Sequence, residues 1–157
     1  MDRYYFRSPV GIVECLLEGR RNILSCVPCE AVEEWLVEEA IGMHPDLAEA
    51  FGGRWQAPRG YTLETLTPRW APSFWDTLCR VPFGTTISYA ELAATLGLGS
   101  GYARAVGGLL ARNNHFLLLP CHRVVKGDGT MGGFKWGIDL KRKILNYERD
   151  GEANRGQ

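Results

Sequence analysis

The sequence predicts an α+β fold in two parts, a small β-sheet carrying a helix followed by a mostly helical region. Three observations predict it. Runs of β-branched and aromatic residues separated by turn residues fill the amino-terminal end. Segments with helical periodicity dominate the carboxy-terminal half. Between them lies a stretch rich in Gly, Pro and Thr with no clear period. The expected boundaries are 1–52 for an amino-terminal β/α domain, 53–69 for a linker and 70–157 for a carboxy-terminal domain.

The elements follow in order. RYYF, a turn at SPVG, IVECLL, a turn at EGRR and ILSCV read as a hairpin-rich sheet. AVEEWLVEEAI places Val32, Trp35, Leu36 and Ala40 at helical spacing with glutamates opposite, so it should lie on that sheet. PDLAEAF reads as a shorter second helix, and APSFWDTLCR as a third that ends at PFG. In TTISYAELAATLG, Ser88 stands three residues ahead of Glu91, a capping box that opens a helix running to about Leu96. GLGS is a tight turn ending in Ser100, an N-cap for the helix GYARAVGGLLARN. Two short helices joined this way suggest helix-turn-helix, a pattern shared by many helical hairpins. Ala103, Ala105, Gly107 and Gly108 keep the second helix small, which suits close approach either to a core helix or to a nucleic-acid groove. LLLPCHRVV, residues 117–125, reads as a buried strand interrupted at Pro120. A glycine-rich loop, KGDGTMGGFKWG, leads to a last amphipathic helix, IDLKRKILNYE, with Leu140, Ile144 and Leu145 inward.

Formal net charge is zero, but residues 1–100 carry 8 Lys+Arg against 13 Asp+Glu while residues 101–157 carry 10 against 5. The basic end is where a polyanion would bind, if one does. No stretch approaches the roughly 20 apolar residues of a membrane span, and MDRYYFRSPVG has no signal-peptide core, so a cytoplasmic protein is expected. Five cysteines do not form a disulfide framework. Cys26 and Cys29 supply half of a structural zinc site at most, with no spacing that brings in Cys15 and His44; a facultative disulfide or two ordinary thiols are the other readings.

The chemistry concentrates at Cys121. A nucleophilic thiolate requires a base or a positive field, and burial alone works against it. His122 is adjacent, but successive residues of a strand point to opposite faces, so a bridging water or a turn at Pro120 is needed. Glu148, the last acid of the inward-packed helix, is the candidate to fix the histidine tautomer.

LLLPCHRVV, together with ISYAELA and ARAVGG before it and GG-x-x-WG after it, closely resembles the O6-alkylguanine-DNA alkyltransferases, also called methylated-DNA-protein-cysteine methyltransferases. The likeness runs from about Pro68 to Glu148, and residues 1–50 are similar to the family's amino-terminal domain. It implies a ribonuclease H-like amino-terminal sheet and a carboxy-terminal winged helix-turn-helix. It implies irreversible, stoichiometric repair in which Cys121 takes the alkyl group from O6-alkylguanine, and from O4-alkylthymine as a further substrate. His122 would act as base through a water, Glu148 would orient it, and Asn113 would be the hinge tying the recognition helix to the cysteine segment. Arg104 would enter the duplex in place of the flipped nucleotide, with Ala103 in the minor groove and Tyr89 rotating the nucleotide out. The carbonyls of Cys121 and Val124 would read the guanine amino group, the Lys135 amide would donate to O6, and Trp136 would bound the pocket. Arg123 is expected to hold the loop, and the glycine pair implies tight packing around Cys121. The resemblance implies no cofactor and no metal, and a monomer acting on double-stranded DNA.

Three positions depart from the pattern: Tyr102 where the family often has a small residue, Phe134 where some members have tyrosine, and Trp136 where some have glycine. The rival reading is a non-catalytic alkyltransferase-like protein that flags the same lesion; those replace the acceptor cysteine, commonly with tryptophan, and this chain keeps Cys121. A cysteine hydrolase would need an oxyanion-hole motif that is not evident.

Overall fold

The computed structural model describes residues 1–155; the side chains of Ser100 and of residues 152–155 lie outside that description. The chain divides into two compact units, one formed by Met1–Thr65 with Asn114–Leu118, the other by Leu66–Asn113 with residues 119 onward.

In the first unit β1 (Asp2–Ser8), β2 (Gly11–Glu18) and β3 (Asn22–Cys29) form an antiparallel meander. Ser8 pairs with Gly11, which leaves Pro9 and Val10 as the loop; Gly11 has φ 127°, a conformation open to glycine. Alternation along β2 turns Val13, Cys15 and Leu17 inward. β4 (Thr62–Leu63) pairs parallel with β3 at Asn22 and Ile23. Farther along β3, Cys26 bridges His115, its amide donating to Asn114 O at 2.7 Å while Phe116 N donates to Cys26 O at 2.9 Å.

Two helices, α1 (Glu34–Met43) and α2 (Pro45–Gly52), pack on β1. Pro45 occupies the first turn of α2, where its missing N–H costs nothing. Phe6 and Phe51 stack at 5.4 Å in the core. The inward stripe of α1 is Val37 and Ala40, and Trp35 is 58% exposed, contrary to the expected face. The helix begins only at Glu34, so Val32 lies outside it and cannot set its phase.

Cys26 and Cys29, three apart on one strand, fall on opposite faces. The partner of Cys26 is Cys15, directly across the ladder, with the sulfurs 3.2 Å apart and both thiols reduced. Among the described residues no cluster of His, Cys, Asp and Glu is arranged to hold a metal.

The second unit contains α3 (Phe74–Cys79), β5 (Ile87–Ser88), α4 (Tyr89–Thr95), α5 (Ala103–Leu110), β6 (Val124–Val125) and α6 (Ile138–Arg155). Ser88 caps α4 as expected, its hydroxyl accepting from Glu91 N at 3.0 Å. A 3-10 turn at Ser100–Tyr102 stands where the next helix was expected to begin; α5 starts at Ala103. Leu92, Val106, Leu109, Leu110, Val124 and Ile144 form the core of this unit. β5 and β6 pair in parallel, Ile87 with Val124 and Ser88 with Val125, which sets the start of α4 beside the segment that follows Cys121.

Residues 117–119 are buried but are not a strand. Leu118 N bonds Phe116 O and Cys121 N bonds Leu119 O, so the chain turns tightly in place of joining a ladder, and Leu117 takes φ 70°. The reversal is needed because the chain belongs to the first unit at Leu118 and to the second at Leu119. Cys121–Arg123 form a 3-10 turn, and only Val124 and Val125 are extended. No helix among the described residues is long and apolar enough to cross a membrane.

Candidate active site

The 3-10 turn puts Cys121, His122 and Arg123 in consecutive buried positions, with Cys121 6% exposed. A cavity of about 280 Å³ opens above the sulfur, lined in part by Tyr89, Gly107, Cys121, Gly133, Phe134 and Lys135. Its presence corrects the expectation of tight packing. A Cβ on Gly107 would touch the Tyr89 ring at an ordinary 3.8 Å, and one on Gly108 would meet nothing. The crowded glycine is Gly132, with φ 70°, where a Cβ would come within 2.8 Å of the Tyr89 hydroxyl.

Asn113, just past α5, donates from Nδ2 to the Cys121 sulfur at 3.0 Å and to Leu119 O at 3.1 Å. One amide thus fixes the backbone turn and supplies a donor to the sulfur. Behind the cysteine, His122 Nε2 lies 2.5 Å from Glu148 Oε2. Arg123 Nε bonds both carboxylate oxygens at 2.9 and 3.1 Å, its Nη2 bonds Oε2 at 2.9 Å, and Nη1 donates to Val81 O at 2.8 Å. Gly84 N also donates to Oε1 at 3.1 Å.

The electrostatics follow from this arrangement. Burial pushes the Cys121 thiol up to about 11, against the Asn113 hydrogen bond and the nearby Lys141 and Lys135 charges. Burial lowers His122 more than Glu148 raises it, so the imidazole is neutral at pH 7. A neutral ring that donates Nε2–H to the carboxylate carries its lone pair on Nδ1, the state a base requires. Burial would raise Glu148, but the His122 and Arg123 hydrogen bonds bring it down to about 2, so it is an anion throughout the physiological range.

Of the residues expected at the site, Cys121, Asn113, His122, Glu148, Tyr89 and Lys135 come together here. Lys135 ties back through Nζ to Asn113 O at 3.0 Å. The Val124 carbonyl is close by in sequence and accepts from Lys141 Nζ at 2.6 Å. Trp136 is half-buried, packed edge-on against Phe134 at 5.5 Å, and is not on the cavity wall. Arg104 is exposed and Ala103 half-buried at the start of α5, neither of them on that wall.

Lys141 was not anticipated. It is fully buried, and Nζ donates to the carbonyls of Val124, Met131 at 2.5 Å and Gly133 at 3.1 Å. It clamps β6 to the loop that walls the cavity. Burial pulls it down to about 8, with the Cys121 thiolate opposing the shift.

A family-wide sequence profile described as 6-O-methylguanine DNA methyltransferase, DNA binding domain, matches residues 70–150. The methylated-DNA–protein-cysteine methyltransferase of Candida glabrata is 41% identical over 81 residues, 52% of this chain and only 39% of that protein. The chain therefore spans well under two thirds of that relative. The protein of the same name from Metallosphaera sedula is 30% identical over 151 residues, 94% of both chains. Among solved structures, the O6-methylguanine methyltransferase of Mycobacterium tuberculosis superposes with a TM-score of 0.69 at 26% identity, over 95% of this chain and 94% of its own.

Proposed function

This chain belongs to the 6-O-methylguanine DNA methyltransferase family, and from that premise we propose that it reverses alkylation damage in DNA by moving the alkyl group of O6-alkylguanine onto Cys121. The observation that carries the reading is the Cys121 sulfur at the floor of an open cavity, held by Asn113 and backed by the buried His122–Glu148 pair. A thiol near 11 is inert at pH 7, so it must be deprotonated in the complex. His122 Nδ1 takes the proton through a water, and the imidazolium is held by the Glu148 anion. The thiolate attacks the alkyl carbon, the S–C bond forms, and the C–O bond breaks with its electrons on O6. Tyr89 and the Lys135 amide donate to the base as this charge develops. Since a thioether offers no leaving group, each protein molecule reacts once.

DNA is engaged through α5. The exposed residues of the helix and of the turn that follows it are Arg104, Ala105, Gly108, Ala111 and Arg112, small in the middle and basic at the edges, which suits the minor groove. Arg104 fills the space of the flipped nucleotide, whose extrusion costs a few kcal/mol. In this reading α4 and α5 are a helix-turn-helix with the β6 loop as wing. The unit that holds Cys121 acts as a monomer on duplex DNA, and the sheet unit, Met1–Thr65 with Asn114–Leu118, is a ribonuclease H-like scaffold. O4-alkylthymine carries its alkyl group on the equivalent exocyclic oxygen and is the second substrate to test.

The test is intact mass after incubation with a duplex holding one O6-methylguanine. One methyl per molecule is expected, located on Cys121 and unchanged by excess substrate. Cys121→Ser should bind the duplex and gain no mass. Repeated turnover, or methylation elsewhere, would overturn the proposal.

A further inference from the structure

At the leading end of α5 stands an aromatic pair that the chemistry above does not use. Tyr102, the residue before Ala103, lies with its ring centroid 5.8 Å from that of Trp70, tilted by 39°. Both are large and open to solvent, Trp70 at 42% and Tyr102 at 44%. Two adjoining rings left in water forgo burial that most such side chains obtain, which marks an interaction surface more than a packing feature.

Its surroundings identify the occupant. Exposed Arg69 adjoins Trp70, exposed Arg104 lies in the first turn of α5 two residues from Tyr102, and exposed Arg112 lies in the turn just past that helix. Residues 68–75 and 97–113, which bear the pair and its helix, contain no Asp or Glu in a chain otherwise balanced in charge. An apolar pair with exposed arginines next to both of its members in sequence suits a polyanion that also presents flat apolar surface.

We propose that Trp70 and Tyr102 form an aromatic wall at the edge of α5 that packs against the deoxyribose rings of one strand of the bound duplex. The inference rests on the reading that α5 binds DNA. The contact is nonpolar and independent of sequence, so it adds to affinity for undamaged and damaged duplex alike and takes no part in alkyl transfer.

The test measures anisotropy of a labelled, undamaged duplex with wild type, the double variant Trp70→Ala/Tyr102→Ala and the conservative Trp70→Phe/Tyr102→Phe. Mass gain from free O6-benzylguanine is followed in parallel as a check on fold and chemistry. The double alanine variant should bind roughly tenfold more weakly, with the salt dependence of wild type because no phosphate contact is lost, and should react normally with the free base. The phenylalanine variant should retain most of the affinity. An alanine variant within about twofold of wild type overturns the proposal. So does parallel loss of the free-base reaction, which would make the pair a fold support. If wild type itself fails to bind duplex while reacting with the free base, it is the DNA-binding reading of α5 that falls.

Discussion

Glu148 is a single carboxylate asked to satisfy an imidazole, a guanidinium and a backbone amide, and its 1% exposure leaves no water to share the task. Removing it strands the Arg123 cation in the interior. We expect Glu148→Ala to lose about 3–5 kcal/mol of stability, the cost of an orphaned buried charge, by urea melts at pH 7. The pH dependence has a definite sign. Its folded value, about 2, is below the ordinary 4.5, so its contribution is complete above pH 4.5 and is lost as pH falls towards 2. The wild type should lose stability through that window more steeply than Glu148→Gln. At Cys121 the expectation differs from one based on crowding. With a cavity of about 280 Å³ over the sulfur, a methyl group overpacks nothing. The thioether sulfur keeps its lone pairs for the Asn113 amide and loses only the weak S–H donor, so methylated protein should stay within about 1 kcal/mol of the unmodified protein. Calorimetry on unmodified and methylated protein would check this, and a loss of several times that size would restore the steric account.

At the scale of elements, α6 brings Lys141, Ile144 and Glu148 inward at spacings of three and four, so one helix carries both a buried cation and a buried anion into the site. Glu148 was legible in sequence because it ends an apolar stripe. Lys141 was not, because KRK on a helix reads as a solvated face, and only the carbonyls of Val124, Met131 and Gly133, brought from elsewhere in the chain, give the first of these charges a buried role. The Ser88 cap of α4 was legible for the opposite reason, since its hydroxyl meets the Glu91 amide within one turn. The face of α1 was misread because phase depends on where a helix begins, and the run of apolar residues starts before the helix does. Lys141→Met should raise the Cys121 thiol further by removing a nearby positive charge. We expect transfer from free O6-benzylguanine at pH 7 to slow by roughly tenfold for each unit of that rise, and its pH–rate profile to move towards alkaline pH. An unmoved profile with a lower plateau would mark Lys141 as a clamp alone.

On the scale of the whole molecule, two units share one chain in an interleaved order. The mixture of a small sheet with a mostly helical second part was legible from periodicity. The interleaving was not, because a strand-like run such as LLLPCHRVV carries no mark of where it changes allegiance. Asn113 and Leu119 belong to the second unit and are joined by a hydrogen bond, while the five residues between them belong to the first. His115 shows the consequence locally, with Nε2 2.6 Å from Glu64 O and its backbone bridged to Cys26. A chain shortened to residues 66–155 would leave Phe116, Leu117 and Leu118, each at most 2% exposed in the intact protein, without the unit that buries them. Each such side chain is worth about 1.5–3 kcal/mol in burial, so the shortened chain should aggregate in gel filtration, and polar substitutions at 116–118 should restore a soluble species. The same excursion bears on grafting. Exchanging the first unit for an unrelated fold would require new residues in the few positions between the hinge asparagine and the acceptor cysteine, because a graft made at the 65/66 boundary alone would leave residues 114–118 matched to the scaffold that was removed.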